Sequence, residues 1–323
     1  MSPSEFDLID RYFTRPARRA ALGVGDDCAL VGPAAGTEFA MSTDMLVAGT
    51  HFFADTDAQR LGHKTLAVNL SDLAAMGATP RFALLAIALP EAREAWVERF
   101  CRGFFALADE HAVELVGGDT TRGPLTLCVT IVGEVPNGEA VRRDGAMPGD
   151  DLWVSGTLGD AALGLGALGG TARLDDEQRA FCIGRLELPT PRVALGVALR
   201  GVATSMLDLS DGLAGDLAHI ARASRVRARV DVDALPLSAP VLAQPRQEAL
   251  RAALAGGDDY ELCFTASPLQ RARIAEIGRS GGVALTRIGV ILPPGDGGGV
   301  VLVGGDGRAL PPMRGYDHFG ARA

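Results

Sequence analysis

Aspartates recur beside small residues at the ends of apolar segments of this chain: Gly25-Asp26-Asp27, Ser42-Thr43-Asp44, Ser71-Asp72, Gly117-Gly118-Asp119-Thr120-Thr121, Asp208-Leu209-Ser210-Asp211-Gly212 and Gly256-Gly257-Asp258-Asp259. Carboxylates supply the hard oxygen ligands that magnesium prefers, and glycine lets backbone N–H groups approach a phosphate closely. The pattern points to a magnesium-phosphate site assembled from distant parts of the chain.

Each cluster carries a structural alternative. In Gly25-Asp26-Asp27, neighbouring side chains of an extended segment point to opposite faces. Asp27 is therefore the preferred ligand and Asp26 a brace, unless both sit in a solvated turn or cap. Ser42-Thr43-Asp44 offers a carboxylate and two hydroxyls, and equally fits a helix N-cap. Asp72 lies within the otherwise packable run Asn69–Gly77, where a buried polar group needs a partner: an ion or an internal hydrogen bond. Gly117–Gly123 follows the strand-like Val113–Val116 and reads as a glycine loop curving around phosphate, or as a tight turn. Asp208 and Asp211 converge in a turn or first helical turn, unless Asp211 caps the helix. Arg122 and Arg143 either neutralise phosphate or are surface guanidiniums. His51 and Asp258 are candidates for contacting an acceptor, and Tyr316 for stacking on a flat ring; each also fits an ordinary structural role.

What is missing narrows the chemistry. There is no GxxxxGK[ST] loop, the single lysine is Lys64, and the protein-kinase motifs are absent. A kinase built on this chain must hold nucleotide phosphates through acids, magnesium, glycines and arginines. A net charge of -9 with 47% hydrophobic residues argues for a folded chain and against a generic nucleic-acid surface. The start MSPSEFDLIDRYF lacks a basic then apolar leader, and no run is long enough to span a membrane, so a cytoplasmic location is expected. Cys28, Cys101, Cys128, Cys182 and Cys263 show no metal-ligand spacing and read as buried free thiols.

The elements that must position these residues alternate along the chain. Strands are expected at 20–31, 38–46, 82–89, 113–116 and 125–135, with helices at 57–76 and 92–110. Arg142–Asp151, rich in charge, glycine and proline, marks a domain boundary, consistent with 323 residues forming two domains of roughly 150. Beyond it, helices are expected at 158–168, 181–186, 191–200, 213–223, 243–255 and 268–278. Strands are expected at 152–155, 203–209, 225–232, 261–265, 284–291 and 300–303, and a turn at 293–299. The fold class is α/β, in the sense of a mixed α+β architecture.

The ordered set GVGDDCAL, MSTDMLVAGTHF, NLSDLAAMGA, GGDTTRGP, LDLSDGL, GGDDYELCF and GYDHF resembles the thiamine-monophosphate kinase family, within the superfamily that includes aminoimidazole ribonucleotide synthetase. The resemblance covers nearly the whole chain. It implies ATP-dependent phosphorylation of thiamine monophosphate to thiamine diphosphate by direct in-line transfer, with several magnesium ions and a homodimer. It also implies an aminoimidazole ribonucleotide synthetase-like architecture of two domains. Residues 1–148 would form the ATP- and magnesium-binding, dimerising domain, and residues 149–323 the domain completing the active cleft. By resemblance, Asp27, Ser42, Thr43, Asp44, Asp72, Asp119, Asp208 and Asp211 belong to the metal site, the six aspartates being the catalytic scaffold. Gly118, Asp119, Arg143 and Ser210 belong to the nucleotide site, and His51, Asp258 and Tyr316 to the acceptor site. At position 258 the family can use glutamate where this chain has the shorter aspartate.

Overall fold

The computed structural model describes residues 4–295, 299–313 and 315–316. Two compact units divide the chain. The first runs through Leu73 and resumes over Ala78–Gly138; the second comprises Ala74–Gly77 and the chain from Glu139 onward.

The first unit is a four-stranded sheet in the order β1-β4-β2-β3, formed by β1 (Thr37–Val47), β2 (Thr79–Leu89), β3 (Glu114–Arg122) and β4 (Thr126–Pro136). β4 is antiparallel to both β1 and β2, whereas β2 and β3 are parallel. A short helix α1 (Glu5–Leu8) precedes the sheet; α2 (Ala58–Ala75) follows β1 and α3 (Glu94–Glu110) follows β2. The α3 stripe Val97, Phe100, Phe104 and Leu107 recurs at helical spacing and is buried. Helix α2 is instead buried on several sides, Lys64, Thr65, Asn69 and Ser71 included. Two of its polar groups are satisfied within the helix: Thr65 Oγ1 donates to the Leu61 carbonyl at 2.7 Å and Asn69 Nδ2 to the Thr65 carbonyl at 3.0 Å.

Two glycines set the spacing of these helices. A methyl group on Gly62 would stand 2.0 Å from the Phe100 carbonyl oxygen, and one on Gly103 would stand 1.8 Å from that of Gln59.

The second unit is a six-stranded sheet in the order β10-β7-β9-β5-β8-β6. Its strands are β5 (Asp151–Ser155), β6 (Ser205–Asp208), β7 (Arg227–Asp231), β8 (Leu262–Ala266), β9 (Leu285–Leu292) and β10 (Val300–Val303). Only the β10–β7 pair is parallel. The helices are α4 (Asp160–Leu168), α5 (Asp176–Glu187), α6 (Val193–Ala198), α7 (Leu213–Ala223), α8 (Ala239–Leu242), α9 (Arg246–Ala255) and α10 (Arg271–Gly281). The amphipathic α7 buries Leu213, Leu217 and Ile220 in one core with Val154, Leu207, Val230 and Ile288. A smaller core holds Leu163, Cys182, Val241 and Ala249.

Beside these apolar cores lies a buried ionic group. The Glu261 carboxylate accepts hydrogen bonds from Ser155 Oγ at 2.6 Å, Arg185 Nη2 at 2.7 Å and Arg192 Nε at 2.7 Å. Asp160 accepts from Thr157 Oγ1 at 2.5 Å and from Ser238. Asp259 accepts from the Gly159 N–H at 2.9 Å, and its complete burial drives its pKa well above the ordinary 3.8, with the neighbouring charges of Asp160 and Glu261 adding to the rise. Three acids thus face two guanidiniums, and protonation of Asp259 leaves the charges balanced.

The expected strand at 20–31 is not one. That stretch is a loop with isolated bridges between Leu22 and Leu30 and between Val24 and Asp26. Its glycines and paired acids favour local turns over a continuous ladder, and Ala20 and Ala29 pack with Phe82, Val116 and Val132. The glycine loop expected at Gly117–Gly123 is mostly strand, because β3 continues to Arg122 with Gly117 opposite Leu84 and Asp119 opposite Ala86. Pairing with β2 outweighs the low strand preference of the two glycines. Of the expected turn at 293–299, residues 296–298 lie outside the described residues, as do Asp317, His318 and Phe319 of the terminal motif.

Two outcomes follow. Gly62→Ala must push the helices apart and is expected to cost about 1–3 kcal/mol despite a helix-propensity gain of about 1 kcal/mol, measured as a lower urea midpoint; an unchanged midpoint contradicts the close approach. Asp259 holds its proton in the folded state while the unfolded chain releases it, so this residue's contribution lowers stability as pH rises above 3.8. Asp259→Asn keeps an acceptor for Gly159 and removes the titration. Its unfolding free energy should lose less than that of the wild type between about pH 4 and neutrality, where one proton contributes at most about 1.4 kcal/mol per pH unit; identical slopes would refute this.

Candidate active site

In the first unit, β1 and α2 bring three of the expected metal-site residues together. Ser42 and Asp44, two apart on β1, are half-buried, while Met41, Thr43 and Met45 between and beside them are exposed on the other face. Ser42 Oγ donates to Asp72 Oδ2 at 2.5 Å. The Asp44 N–H donates to Asn69 Oδ1 at 3.2 Å, and Asn69 is itself oriented by its bond to the Thr65 carbonyl. Asp72 therefore does not break α2; it turns toward β1. Thr43 does not join this group. Strand alternation sends its hydroxyl to the opposite face, where it is 2.8 Å from Thr130 Oγ1.

Asp27, Gly118 and Asp119 line a groove of about 940 Å³ whose walls include Phe6, Phe13, Leu84 and Leu85. The Asp27 N–H donates to Asp26 Oδ1 at 2.8 Å, so Asp26 braces the turn that presents Asp27. Gly118 has a φ of +151°, and a methyl group there would stand 1.8 Å from the Leu85 carbonyl oxygen. Close approach to β2 by itself requires glycine at this position. His51 lies in the turn after β1, where its Nδ1 accepts the Val47 N–H at 3.0 Å. The proton of the neutral ring consequently sits on Nε2, leaving that nitrogen as a donor.

In the second unit, Asp208 ends β6, and Ser210 and Asp211 occupy the loop before α7. Asp211 is not the helix cap; that position is Gly212, which carries no side chain. The segment 256–261 is laced to this loop. The Asp258 N–H donates to the Ser210 carbonyl at 2.9 Å and the Tyr260 N–H to the Leu209 carbonyl at 2.8 Å. Asp258 and Tyr260 adopt left-handed φ values of 67° and 48°, conformations unfavourable for non-glycine residues and held here by these bonds. Tyr260 also donates its hydroxyl to Asp258 Oδ1 at 3.0 Å. Tyr316 joins through its N–H, which donates to the Asp211 carbonyl at 2.9 Å, and its ring is half-exposed. Arg143 is exposed, its carbonyl accepting from Ser224 Oγ at 2.8 Å.

Sequence reasoning passed over Asn69, Arg185, Arg192 and Asp216. Asn69 opens the very motif that contains Asp72, and its position one turn before Asp72 was the available signal. The two arginines lie at least 69 residues from their partner Glu261, so no local pattern announces them. Asp216 is buried in the first turn of α7; burial lifts its pKa to about 7, against the opposing effect of the N–H groups that it accepts.

The donors near the acids are carboxylates and hydroxyls, which fit magnesium in kind. Among the described residues no three acidic, histidine or cysteine side chains form a ready-made metal-binding group. Magnesium is characteristically held by one or two carboxylates with substrate phosphates and water completing its shell, so dispersed aspartates match that mode.

Residues 25–135 match the model of the AIR synthase related protein, N-terminal domain, and residues 147–302 that of the corresponding C-terminal domain. The chain is 47% identical over 327 residues to a thiamine-monophosphate kinase from Salmonella typhimurium, covering 99% of each chain. It is similar to the crystal structure of thiamine-monophosphate kinase from Stenotrophomonas maltophilia, with a TM-score of 0.85 and 50% identity, over 96% of this chain and 99% of that one. It is also similar to AaThiL complexed with AMPPCP and TMP, with a TM-score of 0.77 and 31% identity, over 98% and 97%. With the two-domain match and full-length identity at this level, the chain belongs to the thiamine-monophosphate kinase family.

Proposed function

We propose that this chain transfers the γ-phosphoryl group of ATP directly to a phosphate oxygen of thiamine monophosphate, giving thiamine diphosphate and ADP. The observation that carries this reading is likeness over nearly the whole chain to AaThiL, which holds AMPPCP and TMP together. Asp27, Ser42, Thr43, Asp44, Asp72 and Asp119 of the first unit, and Asp208 and Asp211 of the second, would hold magnesium. When bound, the metal supplies charge neutralisation at the phosphoryl oxygens.

The protein's own groups have separate tasks in this scheme. Asn69 and Ser42 hold the β1 and α2 acids in place through the bonds to Asp44 and Asp72. Gly118, Asp119, Arg143 and Ser210 serve the nucleotide, Arg143 by opposing phosphate charge. His51, with its proton on Nε2, donates to an acceptor oxygen. Asp258 and the half-exposed Tyr316 ring select the acceptor, the ring by stacking on the cationic thiazolium. A strong general base is unnecessary, because a phosphate monoester, with a second ionisation near about 6, already presents an anionic oxygen at neutral pH.

The same reading includes a homodimer and a cytoplasmic location. Met41, Met45 and Leu84 are exposed at 64%, 54% and 38% on the face of the sheet away from Ser42 and Asp44, an apolar surface suited to a second copy. All five cysteines are free, in keeping with a reducing compartment, although Cys28 is exposed and Cys128 half-buried where burial was expected. No helix among the described residues is long and apolar enough to cross a membrane.

Purified protein given ATP, magnesium and thiamine monophosphate should form thiamine diphosphate and ADP in equal amounts. Asp44→Asn and Asp72→Asn should each lower kcat by about 100-fold or more while remaining folded. Absence of product from folded protein that binds both ligands would leave a binding module and sink the kinase reading. Met41→Glu with Met45→Glu should halve the mass seen by analytical ultracentrifugation; an unchanged mass removes the sheet face as the dimer surface.

A further inference from the structure

The loop bearing Ser210 and Asp211 has no backbone polar group to spare. The Leu209 N–H donates to the Glu261 carbonyl at 2.9 Å, and the Leu209 carbonyl accepts from Tyr260 at 2.8 Å. The Ser210 carbonyl accepts from Asp258 and the Asp211 carbonyl from Tyr316, each at 2.9 Å. The two remaining groups, the Ser210 and Asp211 N–H, donate to a single atom, Asp216 Oδ2, at 3.1 and 3.0 Å. Successive N–H groups converging on one point make an anion nest of the kind that elsewhere holds phosphate. Here a carboxylate of the chain itself, 5% exposed, fills the nest from within.

Two consequences follow. The amides of Ser210 and Asp211 are committed to Asp216 and are not the donors that meet a nucleotide phosphate; Ser210 is left to act through its hydroxyl. And of the six backbone contacts that hold this loop, the two from Asp216 are the ones made by a side chain. Five residues beyond Asp211 and anchored in α7, Asp216 ties the loop to a rigid element.

We infer that Asp216 is a positioning residue of the phosphoryl-transfer centre: by filling the Ser210–Asp211 nest it aims the loop's side chains outward as ligands. This rests on the reading of Asp208, Ser210 and Asp211 given above. The role asked of Asp216 is acceptance of two N–H bonds, which a carboxyl oxygen supplies in either protonation state and an amide oxygen supplies as well.

Asp216→Asn and Asp216→Ala distinguish this role from mere burial. The alanine variant should lose about 100-fold in kcat, the scale of a misplaced catalytic group, and need more magnesium for half-maximal rate, with KM for thiamine monophosphate within about threefold. The asparagine variant should recover most of that loss. Amide exchange followed by NMR reads the same claim without turnover: Ser210 and Asp211 should be protected in the wild type and in Asp216→Asn, and exposed in Asp216→Ala. If the alanine variant does not fold, the wild-type protection and the asparagine variant decide. Unprotected wild-type amides, a folded alanine variant with kcat and magnesium dependence within twofold of wild type, or an asparagine variant as impaired as alanine would overturn the proposal. Failure of the wild type to phosphorylate thiamine monophosphate would instead count against the function, leaving the exchange result to judge Asp216.

Discussion

The carboxylate of Glu261 is the contact on which the acidic loops of the second unit depend. It is fully buried, bonded by Ser155 and two arginines, and its own carbonyl accepts the N–H of Leu209. An isolated buried charge is costly, and a paired one is strongly destabilising to break because the orphaned partner keeps its desolvation penalty. The arrangement therefore works less as a source of net stability than as a way of permitting one geometry. With Glu261 held, β8 starts at a defined point, and the preceding residues Asp258 and Tyr260 can be kept in left-handed conformations by Ser210 and Leu209.

The first unit solves the same problem by packing. Strand alternation divides β1 into one face carrying Ser42 and Asp44 and another carrying Met41, Thr43 and Met45. Helix α2 meets the former face with Asn69 and Asp72, three residues apart and so on one side of the helix. The glycine notches at Gly62 and Gly103 let α3 approach α2 so closely that no bulkier residue fits at either position. Along α2, tight packing against α3 at Gly62 thus precedes the polar contacts made by Asn69 and Asp72.

Much was legible from local pattern. The helical periodicity of Ala92–Glu110 matches α3, and Leu213–Ala223 matches α7 to the residue. The strands 38–46 and 300–303 were visible from β-branched and apolar runs bounded by polar or glycine-rich junctions. Asp72 also announced itself, because a carboxylate inside a packable helix needs a partner, and Ser42 is one. The loop at 20–31 was misread because its glycines and paired acids turn locally, and the extension of β3 through Gly117 and Gly118 because its conformation is set by neighbours distant in sequence. Leu84 and Leu85 of β2 draw the glycines into the sheet, against their own preference.

By itself, the sequence determined the residue types and their order: a chain with six aspartate motifs, one lysine, no P-loop and the signature of the thiamine-monophosphate kinase family. Those are properties of composition and spacing, which folding does not alter. Only the tertiary structure decided which oxygens face which partners. It turned Thr43 away from Ser42 and Asp44, gave Gly118 a steric reason, joined Arg185 and Arg192 to Glu261, and filled the Ser210–Asp211 nest with Asp216. The physical reason is that buried hydrogen-bonding groups must find partners wherever the fold brings them. Those partners lie from five to more than seventy residues away, and no local pattern announces the distant ones.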